Sequence, residues 1–279
     1  MISLNVIQSD VGRIRETVLG KVIFVTSFKG GAGKTTVSAN VASALAALGY
    51  CVVAVDGDYD MRCLDLVLGL ESRVLYDSSD VIGGRCGLSD ALATVPGDDS
   101  LSFLAAPMSL SSYDVSKGIG ELLDELRVRF DYVIVDSSAK MTPVYREFAA
   151  NSDEQIVVSL HQSSGIRAAE STAVSLAGIC RGETRLVINQ FRFGAAQRGA
   201  LPRISDIISR TSVRLLGVVP YDPKLPLEQE SGMLACRRNG RKQTAYEIAM
   251  MNISRRLAGQ NVPLLDGLYS RGRKERDLY

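Results

Sequence analysis

Seven short runs of this chain are almost wholly apolar, and they constrain its fold more than any other feature. They are 21–27 (KVIFVTS), 51–55 (CVVAV), 101–105 (LSFLA), 132–135 (YVIV), 155–160 (QIVVSL), 184–188 (TRLVI) and 214–219 (RLLGVV). A strand with one wet face alternates apolar and polar residues, whereas successive apolar residues mark a strand covered on both faces. Stretches with helical spacing lie between the runs: 35–48, which stops at Gly49, then 119–129, 167–179, 204–209 and 242–257. Buried strands separated by helices predict an α/β fold, with one doubly wound, mostly parallel sheet flanked by helices. Ligands of such sheets bind beyond the carboxyl ends of the strands. The polar residues with the most chemistry in them fall there.

Residues 1–20 read as an N-terminal extension, 21–258 as one domain and 259–279 as a basic tail. Of the 279 residues, 46% are hydrophobic and 23% charged, which excludes a disordered chain, a collagen and a coiled-coil rod. The five cysteines, Cys51, Cys63, Cys86, Cys180 and Cys236, form no C-x-x-C pair, so zinc and dithiol chemistry are not expected. The odd count fits a reducing cytosol. The only histidine, His161, ends a strand, and no triad partners stand out for it. The start of the chain lacks the basic cluster and apolar core of a signal peptide. No stretch reaches the ~18 apolar residues of a membrane span. A cytoplasmic protein is expected, peripheral on a membrane at most.

Directly after the first strand stands Lys29-Gly30-Gly31-Ala32-Gly33-Lys34-Thr35-Thr36, opening a helix. This is the context a P-loop requires. Glycines let backbone N–H groups turn inward toward phosphate oxygens, and the helix start adds partial positive charge. Gly30, Gly31, Ala32, Gly33, Lys34, Thr35 and Thr36 therefore form the expected nucleotide cradle. Lys34 would reach the β- and γ-phosphates, and the Thr35 hydroxyl would ligate Mg²⁺. Further on, FDYVIVDS ends an apolar run at Asp136, a second candidate for the metal. Asp56 and Asp58 stand two residues apart at the end of another strand, where one carboxylate can serve metal and the other water.

The motif departs from the general P-loop pattern, which puts its first glycine where this chain has Phe28, and it carries an early lysine, Lys29. It resembles KGGxGKTT, the deviant Walker A motif of the MinD/ParA family of P-loop ATPases. The segment from Val55 onward, VDGDYDMRCLDLVLGLESRVLYDSSDVIGG, resembles the MinD branch of that family. The matches include Asp56, Asp58, Arg62, Leu64, Asp65, Gly69, Glu71, Arg73, Tyr76, Asp77, Asp80 and Val81.

The resemblance implies a slow ATPase that binds ATP or ADP with Mg²⁺ and forms a homodimer when ATP is bound. Lys29 would reach the partner's nucleotide, and Asp58 would orient the attacking water. Thr35, Asp56 and Asp136 would serve the metal. Asn189 would recognise adenine, with Pro220 and Asp222 packing on the base. The implied role is spatial control of bacterial cell division through recruited partners of the division-inhibitor or topological-factor type. A positioning ATPase for DNA or other cargo, and a weakly hydrolysing regulator, are the alternatives.

Some residues depart from the family's pattern. Asp60 and Met61 replace glycine and leucine, Cys63 replaces asparagine, and Ser138 and Lys140 stand where the family reads DSPAG after the Walker B aspartate. Lys140 is expected to face solvent. The family's short amphipathic C-terminal helix is matched here by only Leu264, Leu265 and Leu268, interrupted by glycines, so a frayed tail is expected. The total charge of +1 hides a split: residues 1–180 carry 14 basic and 22 acidic side chains, and residues 181–279 carry 18 and 9. The basic part includes Arg237, Arg238, Arg241, Lys242 and the 271–276 tail. It could meet an anionic membrane surface, or less readily DNA.

Overall fold

A computed structural model describes residues 19–268, apart from 72, 109–113, 233 and 235–242. The basic residues at 237–242 and 271–276, Cys236 and positions 1–18 of the extension lie outside the described residues.

Strands β1 (Lys21–Thr26), β2 (Val52–Gly57), β3 (Leu92–Val95), β4 (Asp98–Leu104), β5 (Tyr132–Ser137), β6 (Glu154–Leu160), β7 (Glu183–Phe191) and β8 (Arg214–Pro220) form one sheet in the order β3-β4-β2-β5-β1-β6-β7-β8. Every pairing is parallel except β3 with β4. The expected doubly wound sheet is therefore present, with eight strands among the described residues where seven were expected. The added strand, β3, is an antiparallel edge joined to β4 by a short turn containing Gly97. Of its four residues, LATV, only Val95 is fully buried and Thr94 is exposed, so it lacks the buried apolar run that marks its neighbours.

Side-chain alternation explains why the inner strands are apolar at successive positions. Val22 and Phe24 of β1, Val53 and Val55 of β2, and Val133 and Val135 of β5 enter one core. Ile23 and Val25, Val52 and Ala54, and Tyr132 and Ile134 enter the other. The first core lies beneath the helices α5 (Ile119–Arg129), α6 (Pro143–Ala150), α7 (Ser163–Ala177), α8 (Phe193–Gln197) and α9 (Ile204–Thr211). The second lies beneath α1 (Lys34–Ala47), α2 (Leu64–Leu68) and α11 (Ala245–Leu257). Short helices α3 (Ser78–Ile82), α4 (Leu88–Ala91) and α10 (Leu225–Gln229) and a 3-10 turn at Val115–Gly118 are the remaining helical elements among the described residues. Helix α6 was not apparent in the sequence, although Thr142 caps it and Pro143 opens it.

The chain after α11 is not frayed in its described part. Leu265 is buried in the first core, with Leu264 and Leu268 packed against it. Asn252 Nδ2 donates to the Asp266 carbonyl at 2.7 Å, and Arg256 donates to the carbonyls of Val262 and Pro263. The three leucines expected on an apolar helical face lie in a turn folded against the body.

Candidate nucleotide and metal site

The sheet reverses direction beside β1. After β1 the chain builds outward to β2 and β4, returns in β5 beside β1, and passes through α6 to β6 on the other side of β1. A crevice at the carboxyl ends of strands arises at such a reversal, and the loop after β1 fills it.

That loop leads into α1 with Gly33 at φ 89° in the cap position. No side chain caps the helix start and no acidic residue stands in its first turn, so the leading N–H groups are left to an anion. Gly33 is required twice over. Its φ belongs to the left-handed region, and a Cβ there would sit 2.3 Å from the Asn189 amide nitrogen. Lys34 is buried, and Lys29 is half-buried beside the Ser27 hydroxyl, which accepts its backbone N–H at 3.4 Å. Phe28 packs near Tyr145, and its N–H donates to Thr172 Oγ1 at 3.0 Å, which fixes the loop's root to α7.

Beneath the loop, the tips of β2 and β5 bring Asp56 and Asp136 side by side, as direct neighbours in the sheet register. Both are essentially inaccessible to water. Thr35 Oγ1 donates to Asp136 Oδ2 at 2.6 Å and Ser38 Oγ to Oδ1 at 3.0 Å. Asp56 accepts the backbone N–H groups of Asp58 at 3.0 Å and Leu64 at 3.1 Å. Burial is the main force on both carboxyls. It lifts Asp136 to about 6, against the pull of Thr35, Lys34 and Ser38. It lifts Asp56 well above the carboxylate range, with the Asp136 charge adding to the effect.

Two adjacent buried carboxyls held above their ordinary range suit a site for a cation. Among the described residues no group of three or more His, Cys, Asp and Glu side chains converges as a metal cage. That fits Mg²⁺ in a P-loop, where one hydroxyl and one or two carboxylates suffice and phosphate oxygens and water complete the shell. Ser38 went unrecognised in the sequence; its position four residues after Lys34, on the buried face of α1, was the available signal.

Asp58 is half-buried and turned into its own loop. Its Oδ1 accepts the N–H groups of Asp60 and Met61, both at 3.2 Å, while Arg62 takes a left-handed φ of 43° and donates its N–H to the Asp58 carbonyl. Tyr59 pins the loop by a 2.6 Å hydrogen bond to Ser78 Oγ and an edge contact with Phe148. Two of the departures from the family pattern meet here. Lys140 Nζ lies 3.4 Å from Asp60 Oδ2, joining the loop after β2 to the loop after β5. Lys140 is exposed, as expected, and engaged by Asp60 rather than aimed at the P-loop.

On the other side of α1, Asn189 is buried at the end of β7. Its Nδ2 donates to the Ala32 carbonyl at 2.9 Å and its Oδ1 accepts the Gln190 N–H, so one end of the amide holds the P-loop and the other is fixed to its own strand. Pro220 pairs with Phe191 at the end of β8, and Asp222 Oδ1 accepts the Lys224 N–H at 2.9 Å. Arg192 lies over the Tyr221 ring at 4.4 Å. A cavity of about 280 Å³ opens between Gly31, His161, Gln190 and Arg192. His161 is structural: it stacks on Phe191 at 4.1 Å, Nδ1 accepts the Arg192 N–H, and Nε2 meets the Pro202 carbonyl.

Comparison with known proteins agrees with this geometry. Residues 23–235 match the family model described as the CobQ/CobB/MinD/ParA nucleotide binding domain. The septum site-determining protein MinD of Bacillus subtilis is 37% identical over 254 residues, 88% of this chain and 92% of that protein. Its counterpart from Synechocystis is 34% identical over 249 residues, 89% of this chain and 93% of that one. Among solved structures, the MinC:MinD cell division protein complex of Aquifex aeolicus contains a chain that superposes with a TM-score of 0.78 at 30% identity, covering 88% of this chain and 98% of that one. The P-loop after β1, the paired aspartates beneath it and these matches make the chain a member of the CobQ/CobB/MinD/ParA nucleotide-binding family, within its MinD group.

Proposed function

We propose that the chain is a MinD-like ATPase acting in the spatial regulation of bacterial cell division. The observation that carries this is the buried Asp56–Asp136 pair directly beneath an uncapped P-loop helix. ATP or ADP binds the cradle of residues 30–36, with Lys34 toward its phosphates. Thr35 and Asp136 hold Mg²⁺, with Asp56 supporting it. When bound, the metal neutralises charge on the phosphate oxygens. Asn189, Pro220 and Asp222 contribute the base contacts.

Asp58 leaves the N–H groups of Asp60 and Met61 to orient a water at the γ-phosphate. Releasing those bonds and the Lys140–Asp60 contact opposes turnover, which fits a slow ATPase. Two copies associate face to face through their P-loops, and Lys29 of each reaches the other's nucleotide. The ATP-bound dimer recruits a division-inhibitor or topological-factor partner. The basic C-terminal tail then meets an anionic membrane surface on the cytoplasmic side. No helix among the described residues is long and apolar enough to cross a membrane, so that contact would be peripheral.

Light scattering of the full chain tests the core of this reading. A dimer is expected with ATP and a monomer with ADP. Asp58→Ala should hold the ATP dimer without turnover, and Lys34→Ala should bind no nucleotide. A monomer under every condition would sink the switch. Membrane binding is read by sedimentation with anionic vesicles, comparing the full chain with one ending after Leu268, so that the buried Leu265 is kept.

A further inference from the structure

Gln229 is the last residue of α10, in the segment that follows β8. Its Oε1 accepts the hydroxyl of Thr36 at 3.2 Å, bridging residues 193 positions apart. Its Nε2 is buried and has no hydrogen-bond partner among the described residues. An amide donor shut away from water without an acceptor destabilises the state that contains it. Such a group marks a place where an acceptor is expected to arrive.

The surroundings specify the acceptor. Thr36 stands in the first turn of α1, whose N–H groups are uncapped, beside the buried Lys34. These groups all attract anions, and none of them supplies an acceptor to the amide. Helix α10 itself is weakly held: none of its residues is buried, and no side chain caps its start. The Thr36 contact therefore tethers this sparsely buried segment to the phosphate loop, while leaving half of the tether unsatisfied.

We propose that Gln229 is a nucleotide-binding residue. Its Nε2 donates to an oxygen at the sugar–phosphate end of the bound nucleotide, and so draws α10 over the start of α1. The proposal rests on the nucleotide-binding reading above. It adds a contact from the C-terminal side of the sheet that the P-loop motif does not contain. A brace between α1 and α10 would use the Thr36 hydrogen bond alone, and would leave the second amide group with nothing to do.

Equilibrium binding of fluorescent ADP and ATP analogues, together with melting of the nucleotide-free protein, tests this on the full chain. Gln229→Ala should weaken both nucleotides about 3–10-fold, the cost of one hydrogen bond. Gln229→Glu keeps the shape and the acceptor for Thr36, but places a carboxylate oxygen where the donor stood. It should bind at least ~10-fold more weakly than Gln229→Ala, as charged groups left facing like charge cost more. ADP and ATP should lose by the same factor, because they share this end of the molecule. The nucleotide-free melting temperature of Gln229→Ala should stay near wild type, since losing the Thr36 bond is offset by removing an unpaired amide.

Wild-type affinity in Gln229→Glu would overturn the proposal. So would a loss confined to ATP, or affinity falling only in step with nucleotide-free stability. If wild type binds no better than Lys34→Ala, the nucleotide reading itself fails and this proposal falls with it. Tight wild-type binding with indifferent Gln229 variants overturns this proposal alone.

Discussion

Replacing Asp136 by asparagine removes one of two carboxyls buried side by side beneath the P-loop, and its effect has a calculable sign. Burial holds the Asp136 carboxyl at about 6, against an ordinary value of 3.8. A group whose pKa rises on folding favours the folded state when protonated. The penalty is therefore absent below the unfolded value, grows as pH rises, and is complete above the folded value. At one pKa unit per 1.36 kcal/mol it reaches about 3 kcal/mol. Asparagine carries no such charge, and it can still meet the hydroxyls of Thr35 and Ser38. Without a like-charged neighbour, Asp56 should also ionise more easily, which changes the variant in the same direction. Urea unfolding in the presence of a chelator, for both proteins at about pH 4 and about pH 7.5, reads the difference. Wild type should lose roughly 2–3 kcal/mol relative to Asp136→Asn between the two conditions. Adding Mg²⁺ and nucleotide should restore wild type at the higher pH and leave the variant little changed. A stability difference independent of pH, or a wild type favoured by raising the pH without metal, would refute the reasoning.

Gly33→Ala should cost about 2 kcal/mol in stability, because φ 89° disfavours any Cβ and this one would strike the Asn189 amide. Nucleotide affinity should fall with it, checked by denaturant unfolding and a binding titration. The Lys140–Asp60 pair is exposed, so a double-mutant cycle between Lys140→Ala and Asp60→Ala should give a coupling of about 0.2–1 kcal/mol, mostly lost at high salt. The same single variants should speed release of Asp58 from its loop, measured as faster phosphate release by a purified ATPase.

The sequence alone specified the parallel sheet, because both faces of each inner strand must be apolar and that leaves a run visible at successive positions. It also specified the P-loop and the aspartates at the tips of β2 and β5, since glycine spacing and strand-end carboxylates are local patterns. Strand β3 escaped notice because an edge strand is only half covered and needs no such run. The tertiary structure decided what depends on distant residues meeting. It placed Asp56 against Asp136, drew Ser38 and Thr35 onto the same carboxyl, and turned Asn189 into a prop for the P-loop. It brought together Asp60 and Lys140, 80 positions apart, so that two separate departures from a family pattern became one contact. It folded Leu265 into the core where a loose tail was expected, and hung Gln229 on Thr36. None of these contacts leaves a period or a spacing in the chain. Each follows from strand order and helix packing, which set the neighbours of a side chain only once the whole sheet is assembled.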